Sequence, residues 1–173
     1  MMQEIVKPIV VLSIICLVVS GALALTNGAT APVIQAAAIE RAALAMNSII
    51  PDATSFDQVE NEGFDRAVKE VYKTGNDIGY IFIVTSTGFS GEVRVMCGVD
   101  PEGRIIGVTT LKHTETKGIG DILDRQSFIG QADGISGGQV DEIIAVTGAT
   151  ISSNAFKNAI REVFAAYDVL MGV

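Results

Sequence analysis

Residues 80–111 read YIFIVTSTGFSGEVRVMCGVDPEGRIIGVTTL, and this stretch decides the fold. Three runs rich in β-branched residues, Tyr80 to Thr85, Glu92 to Val99 and Arg104 to Leu111, are separated by the turn clusters Ser86-Thr87-Gly88 and Asp100-Pro101-Glu102-Gly103. Connections this short join neighbouring antiparallel strands, so the stretch predicts an antiparallel meander at the centre of an α+β domain. Cys97 alternates with Val93 and Val95 on the middle run, which suits a small buried core residue.

Downstream, Asp121 to Ser127 predicts one or two helical turns and Gly134 to Gln139 a glycine-rich loop. Ile143 to Val146 then reads as a last short strand feeding a turn at Thr147. Ala155, Phe156, Ala159, Ile160, Val163, Phe164, Tyr167 and Leu170 recur at helical spacing, with Ser152, Ser153 and Asn154 as capping residues before them. Upstream, Thr54 to Asn76 is polar and mixed, with a short helix expected from Asp65 to Lys73. Pro32 to Ile50 is alanine-rich and reads as a helix closed by Pro51-Asp52.

From Pro8 to Ile39 no side chain is charged, and Ile9 to Leu25 is almost wholly apolar, about 25 Å of helix. That is the short end of a membrane span, and continuing through Thr26 to Ala31 makes the length comfortable. The competing reading is a cleaved signal peptide, since Ala22-Leu23-Ala24 resembles a cleavage site. An uncleaved anchor is preferred, because Lys7 is the only basic residue ahead of the apolar run; the mature N-terminus should then lie at or near Met1 or Met2. Cys16 makes a poor lipoprotein site, because Ile15 is too large for the preceding position. Lys7 and the amino terminus, weakly opposed by Glu4, favour a cytoplasmic start, so the domain is expected on the extracytoplasmic side.

The 173 residues carry a formal charge of -8, all of it after the apolar segment because Glu4 and Lys7 cancel, which argues against nucleic-acid binding. The absence of Trp leaves little for base stacking. Two cysteines, one of them inside the span, offer neither an intradomain disulfide nor a ligand set for zinc or an iron–sulfur cluster, so no metal site is expected. The expected organisation is 1–31 as cytoplasmic N-terminus and anchor, 32–75 as helical stalk and lead-in, and 76–173 as the functional domain.

Val146-Thr147-Gly148-Ala149-Thr150-Ile151-Ser152-Ser153 places hydroxyls in a tight turn before the final helix. A helix N-terminus leaves about four N–H groups without intrahelical partners and attracts anions, so a phosphate suits this place. Taken alone, the string is read more simply as a strand-to-helix turn. His113-Thr114-Glu115-Thr116-Lys117-Gly118-Ile119-Gly120 is a flexible polar loop able to wrap a planar ring, and alone is read as a surface turn. His113 is the only histidine and has no nucleophile elbow to serve, which makes a hydrolase of the Ser-His-Asp type unlike this chain.

Together and in this order, the two segments resemble the paired motifs of the FMN-binding domain family over roughly residues 76 to 170. The resemblance implies FMN joined through its phosphate to the hydroxyl of Thr150, a phosphoester made by a separate flavin transferase. It implies cofactor contacts from Thr147, Gly148, Ala149 and Ser152 in one motif and from Glu115, Thr116 and Gly118 in the other, with no catalytic residue of the chain's own. The chain departs from the family pattern at Ile144, where an acidic residue is usual, and at Lys117, where proline is more frequent. Lys117 reads as solvated.

Within the family, the compact length is similar to the G subunit of Rnf-type electron-transport complexes, which link ferredoxin and NAD and translocate ions. The C subunit of sodium-pumping NADH:quinone oxidoreductases shares both motifs and is typically longer. The resemblance therefore implies a membrane-anchored electron carrier whose partners are the other membrane subunits of such a complex. The alternative from another class is a non-redox, surface-anchored binding domain.

Overall fold

The computed structural model describes residues 2–60, 63–118 and 120–172; Met1, and Ile119 of the polar loop, lie outside the described residues. Contacts divide the chain into two units, Met1–Arg41 and Ala42–Val173.

The described residues of the first unit belong to helix α1, which runs from Met2 to Ile49 as one element. The alanine-rich stretch from Pro32 continues the apolar helix as a stalk, as expected. Val6–Ile49 is long and apolar enough to cross a membrane. Ser13, Thr26 and Thr30 donate their hydroxyls to carbonyls four residues back, all at 2.9 Å, so these polar groups are satisfied within the helix.

The second unit is an antiparallel meander of five strands in sequence order: β1 Phe56–Val59, β2 Val68–Thr74, β3 Tyr80–Thr87, β4 Glu92–Val99 and β5 Ile105–Lys112. Alternation sorts its side chains to two faces, and both are covered. Phe82, Val84, Val93, Val95, Cys97 and Val99 join the main core under α3, Thr150–Met171. Ile81, Ile83 and Met96 face the other way and pack with Met46, Ile49 and Ile50 from the end of α1. Burial on both faces explains why β3 reads as a continuous apolar run. Cys97 is fully buried, and burial pushes its thiol well up, so it is an inert core residue as expected.

Between β5 and α3 the chain makes 3₁₀ turns at Gly120–Asp124, Gly130–Ala132 and Gly137–Glu142 and one short helix, α2, Gln126–Ile129. These turns cross the main core, contributing Ile122, Leu123, Phe128 and Val140.

Three local expectations are corrected. Residues 68–74 form β2 where a helix was expected from Asp65. Asp65 Oδ1 accepts the Ala67 N–H at 2.8 Å in a turn, and a register shift between Val68 and Glu70 lets Val68 and Val71, three positions apart, both enter the core against β3, so tertiary pairing overrides local composition. Residues 143–146 are not a strand. The Gln131 side chain takes both the Ile144 N–H, at 2.9 Å, and the Ile144 carbonyl, at 3.5 Å, and so replaces a neighbouring strand. Ser152 and Ser153 are not caps but buried residues inside α3, whose N-cap is Ala149.

Candidate cofactor-binding site

The turn before α3 forms because Gly148 adopts φ 85°, a left-handed conformation that glycine takes without strain. Ser153, one turn into the helix, accepts the Val146 N–H on its hydroxyl at 3.0 Å and fastens the approaching chain. Lys157 Nζ donates to the carbonyls of Asp141 and Ile143, both at 3.2 Å, and Arg161 pairs with Asp141 at 2.5 Å, so α3 itself holds the segment leading to the turn.

Thr150 is the first residue of α3. Its side chain is exposed and makes no hydrogen bond among the described residues. The N-cap Ala149 offers no side-chain acceptor, so the first-turn N–H groups keep their capacity for an anion.

Beside this helix start lies a cleft of about 350 Å³, within the range of small-molecule sites. Glu115, Thr116 and Gly120 of the polar loop line one side, and Gly148, Ala149, Thr150 and Ser152 line the other. Residues 37 positions apart, Glu115 and Ser152, are joined by a very short hydrogen bond. Thr147 and Gly118 are exposed and outside the lining; Gly118 N–H donates instead to Asp121 Oδ2 at 2.8 Å. Lys117 is exposed.

Two lining residues escaped the sequence reading. Phe89, in the β3–β4 turn, and Ile151 are large, apolar and yet 69% and 53% exposed. An aromatic residue in a Gly-Phe-Ser-Gly turn, where neither strand has need of it, was the available signal. Apolar walls, three hydroxyls and a first helical turn with no acidic residue of its own, the buried Glu115 being taken up by Ser152, fit a flat aromatic group with a phosphate tail. None of the described lining residues is basic, so the helix N-terminus is the positive end of the cleft.

His113 stands behind the loop. Its Nδ1 accepts the Glu115 N–H at 3.3 Å and its Nε2 lies 3.0 Å from Asp124 Oδ2, so the ring braces the loop's backbone. Among the described residues, no group of His, Cys, Asp and Glu is arranged to hold a metal ion.

The FMN-binding domain family matches residues 88–165, from the β3–β4 turn through most of α3. The chain is 31% identical to the G subunit of the ion-translocating oxidoreductase complex of Methanosarcina acetivorans, over 92% of either protein. It is 27% identical to the G subunit of the Na(+)-translocating ferredoxin:NAD(+) oxidoreductase complex of Acetobacterium woodii, over 92% of this chain and 90% of that protein. It is also 30% identical to the G subunit of the proton-translocating counterpart of Clostridium ljungdahlii, over 68% of this chain and 66% of that protein. Fold, cleft and family match define the class, an FMN-binding domain following a long apolar helix. Within that class, the chain belongs to the G-subunit family of ion-translocating, Rnf-type oxidoreductase complexes.

Proposed function

We propose that this chain is the electron-transfer subunit of an Rnf-type ferredoxin:NAD oxidoreductase, held to the membrane by α1 and carrying FMN covalently on Thr150. The single observation that carries the attachment is the exposed, unengaged Thr150 hydroxyl at the start of α3, opening into the cleft. Its correspondence along nearly the full length of the M. acetivorans protein supports the assignment to this complex. No observation favours the C subunit of the sodium-pumping enzyme.

In this reading a flavin transferase joins Thr150 Oγ1 to the phosphorus of an activated flavin nucleotide; the hydroxyl proton and the donor's leaving group depart. Among the described residues no base is bonded to Thr150, which suits a residue acted upon by another enzyme. The first-turn N–H groups would meet the remaining phosphate charge, with Gly148, Ala149 and Ser152 lining the cleft beside them and Thr147 in the turn just before. Glu115, Thr116 and Gly118 belong to the opposing loop. When bound, the isoalloxazine supplies the redox chemistry. The chain's residues would flank it with the apolar side chains of Phe89 and Ile151, and the covalent link would keep it from diffusing away.

We assign residues 1–31 to the anchor and 76–173 to the flavin-bearing part, on the extracytoplasmic side, with 32–75 leading from one to the other and supplying β1 and β2 to the same sheet. The other membrane subunits of the complex are its electron partners.

Protein produced with a flavin transferase is run on a denaturing gel. The wild-type band fluoresces and the Thr150→Val band is dark; equal brightness would overturn the attachment. For the topology, protease added to intact spheroplasts removes the domain while cytoplasmic markers survive. A protected domain contradicts the extracytoplasmic placement.

A further inference from the structure

Glu115 sits where three segments meet. Its Oε1 accepts the Ser90 N–H from the β3–β4 turn at 2.9 Å, and its Oε2 accepts the very short hydrogen bond from Ser152 Oγ in the first turn of α3. Thr114 Oγ1 donates to the Ser90 carbonyl at 3.2 Å, and the Ser90 and Thr116 hydroxyls lie 3.4 Å apart, so loop and turn are stitched together around the carboxylate. Gly120 closes in behind it, where a β-carbon would overlap the Glu115 side chain.

The Glu115 side chain is buried and makes no ion pair among the described residues. Burying a carboxylate without a counter-ion costs free energy that only hydrogen bonds offset here. One of those bonds runs to the β3–β4 turn that carries Phe89 and the other to the first turn of α3, and both elements contribute to the cleft lining.

We propose that Glu115 is a positioning residue: through Ser90 and Ser152 it fixes the loop and turn against the first turn of α3, and so presets the cleft and the Thr150 hydroxyl before flavin arrives. This rests on Thr150 as the attachment residue. Ser152 lies two residues after Thr150 in the same helical turn, so holding one fixes the other. Glu115 acts on attachment through these partners. A preset acceptor speeds group transfer because the reacting atoms need no further ordering.

The side-chain chemistry separates position from charge. In Glu115→Gln the amide oxygen still accepts from Ser90 and the amide nitrogen donates to the Ser152 hydroxyl, so both links persist without the charge. Glu115→Ala removes both links, and Ser152→Ala removes one.

The full-length chain is purified without flavin, and amide exchange and the initial rate of attachment by added transferase and flavin donor are measured. Glu115→Ala speeds exchange at the Ser90 amide. Glu115→Ala and Ser152→Ala each slow attachment about tenfold, the order expected of a misplaced acceptor. Glu115→Gln restores both readouts towards wild type, and the Glu115→Ala/Ser152→Ala pair is little slower than Glu115→Ala, because the two share one link. Attachment at the wild-type rate in either alanine variant overturns the proposal, as does Glu115→Gln as slow as Glu115→Ala. Should Glu115→Ala fail to fold, Ser152→Ala decides by the same criterion. Wild type left without flavin overturns the Thr150 assignment and this inference with it, an outcome distinct from variants that match a flavinylated wild type.

Discussion

Ile49, in the last turn of α1, fills the space that a β-carbon on Gly98 of β4 would occupy. The end of α1 is thereby part of the domain's second core, with Ile49 and Ile50 against Ile81 and Met96. Gly98→Ala forces that contact apart and should destabilise the domain by about 1–3 kcal/mol. Ile49→Ala should cost about 2–4 kcal/mol through the cavity it leaves. Thermal or urea denaturation of the detergent-solubilised protein measures both, and an unchanged midpoint would show that the contact carries no stability.

Tyr72 gives the domain an alkaline limit. Its hydroxyl is partly buried and donates to Glu70 Oε2 at 2.6 Å; burial first, then the Glu70 hydrogen bond and charge, push its pKa up to about 12. The neutral phenol is the form favoured in the fold. Its contribution is therefore complete below the unfolded value of about 10 and is lost as pH rises from there through about 12. The stability difference between wild type and Tyr72→Phe should narrow across that interval in denaturant titrations. A difference independent of pH there contradicts the assignment.

Phe89 is exposed at the rim of the cleft and supports little of the core, so Phe89→Ala should change stability by no more than about 0.5 kcal/mol. The attached flavin, however, loses one apolar wall. Its fluorescence yield and visible circular dichroism should move towards those of free FMN, while attachment stoichiometry stays high. Spectra identical to wild type would remove Phe89 from the site.

Ile144 stands, 74% exposed, where the family pattern places an acid, and the nearby Asp141 is engaged by Arg161. Ile144→Asp costs no burial and should raise the initial rate of attachment by the transferase. Flavin per protein at early times reads this directly; a slower rate means the transferase takes this sequence as it stands.

The strands of residues 80–111 were legible because their apolar alternation and turn chemistry agree with the final pairing. The segment 65–74 was not: Val68 and Val71 declare a strand only once β3 lies beside them. Residues 143–146 misled for the opposite reason, since a β-rich composition is held by the side chain of Gln131, 13 positions away from Ile144. The two motifs could be paired from the sequence by resemblance, but the means of pairing could not. Nothing local to Glu115 says that its carboxylate meets Ser152, because that contact depends on how α3 crosses the sheet.

Mass spectrometry of peptides from natively purified protein is the most direct measurement. The peptide bearing Thr150 should be heavier by one FMN less one water, with fragment ions placing the addition on that side chain. An unmodified Thr150 in flavin-containing complex, or the addition on another residue, contradicts the account.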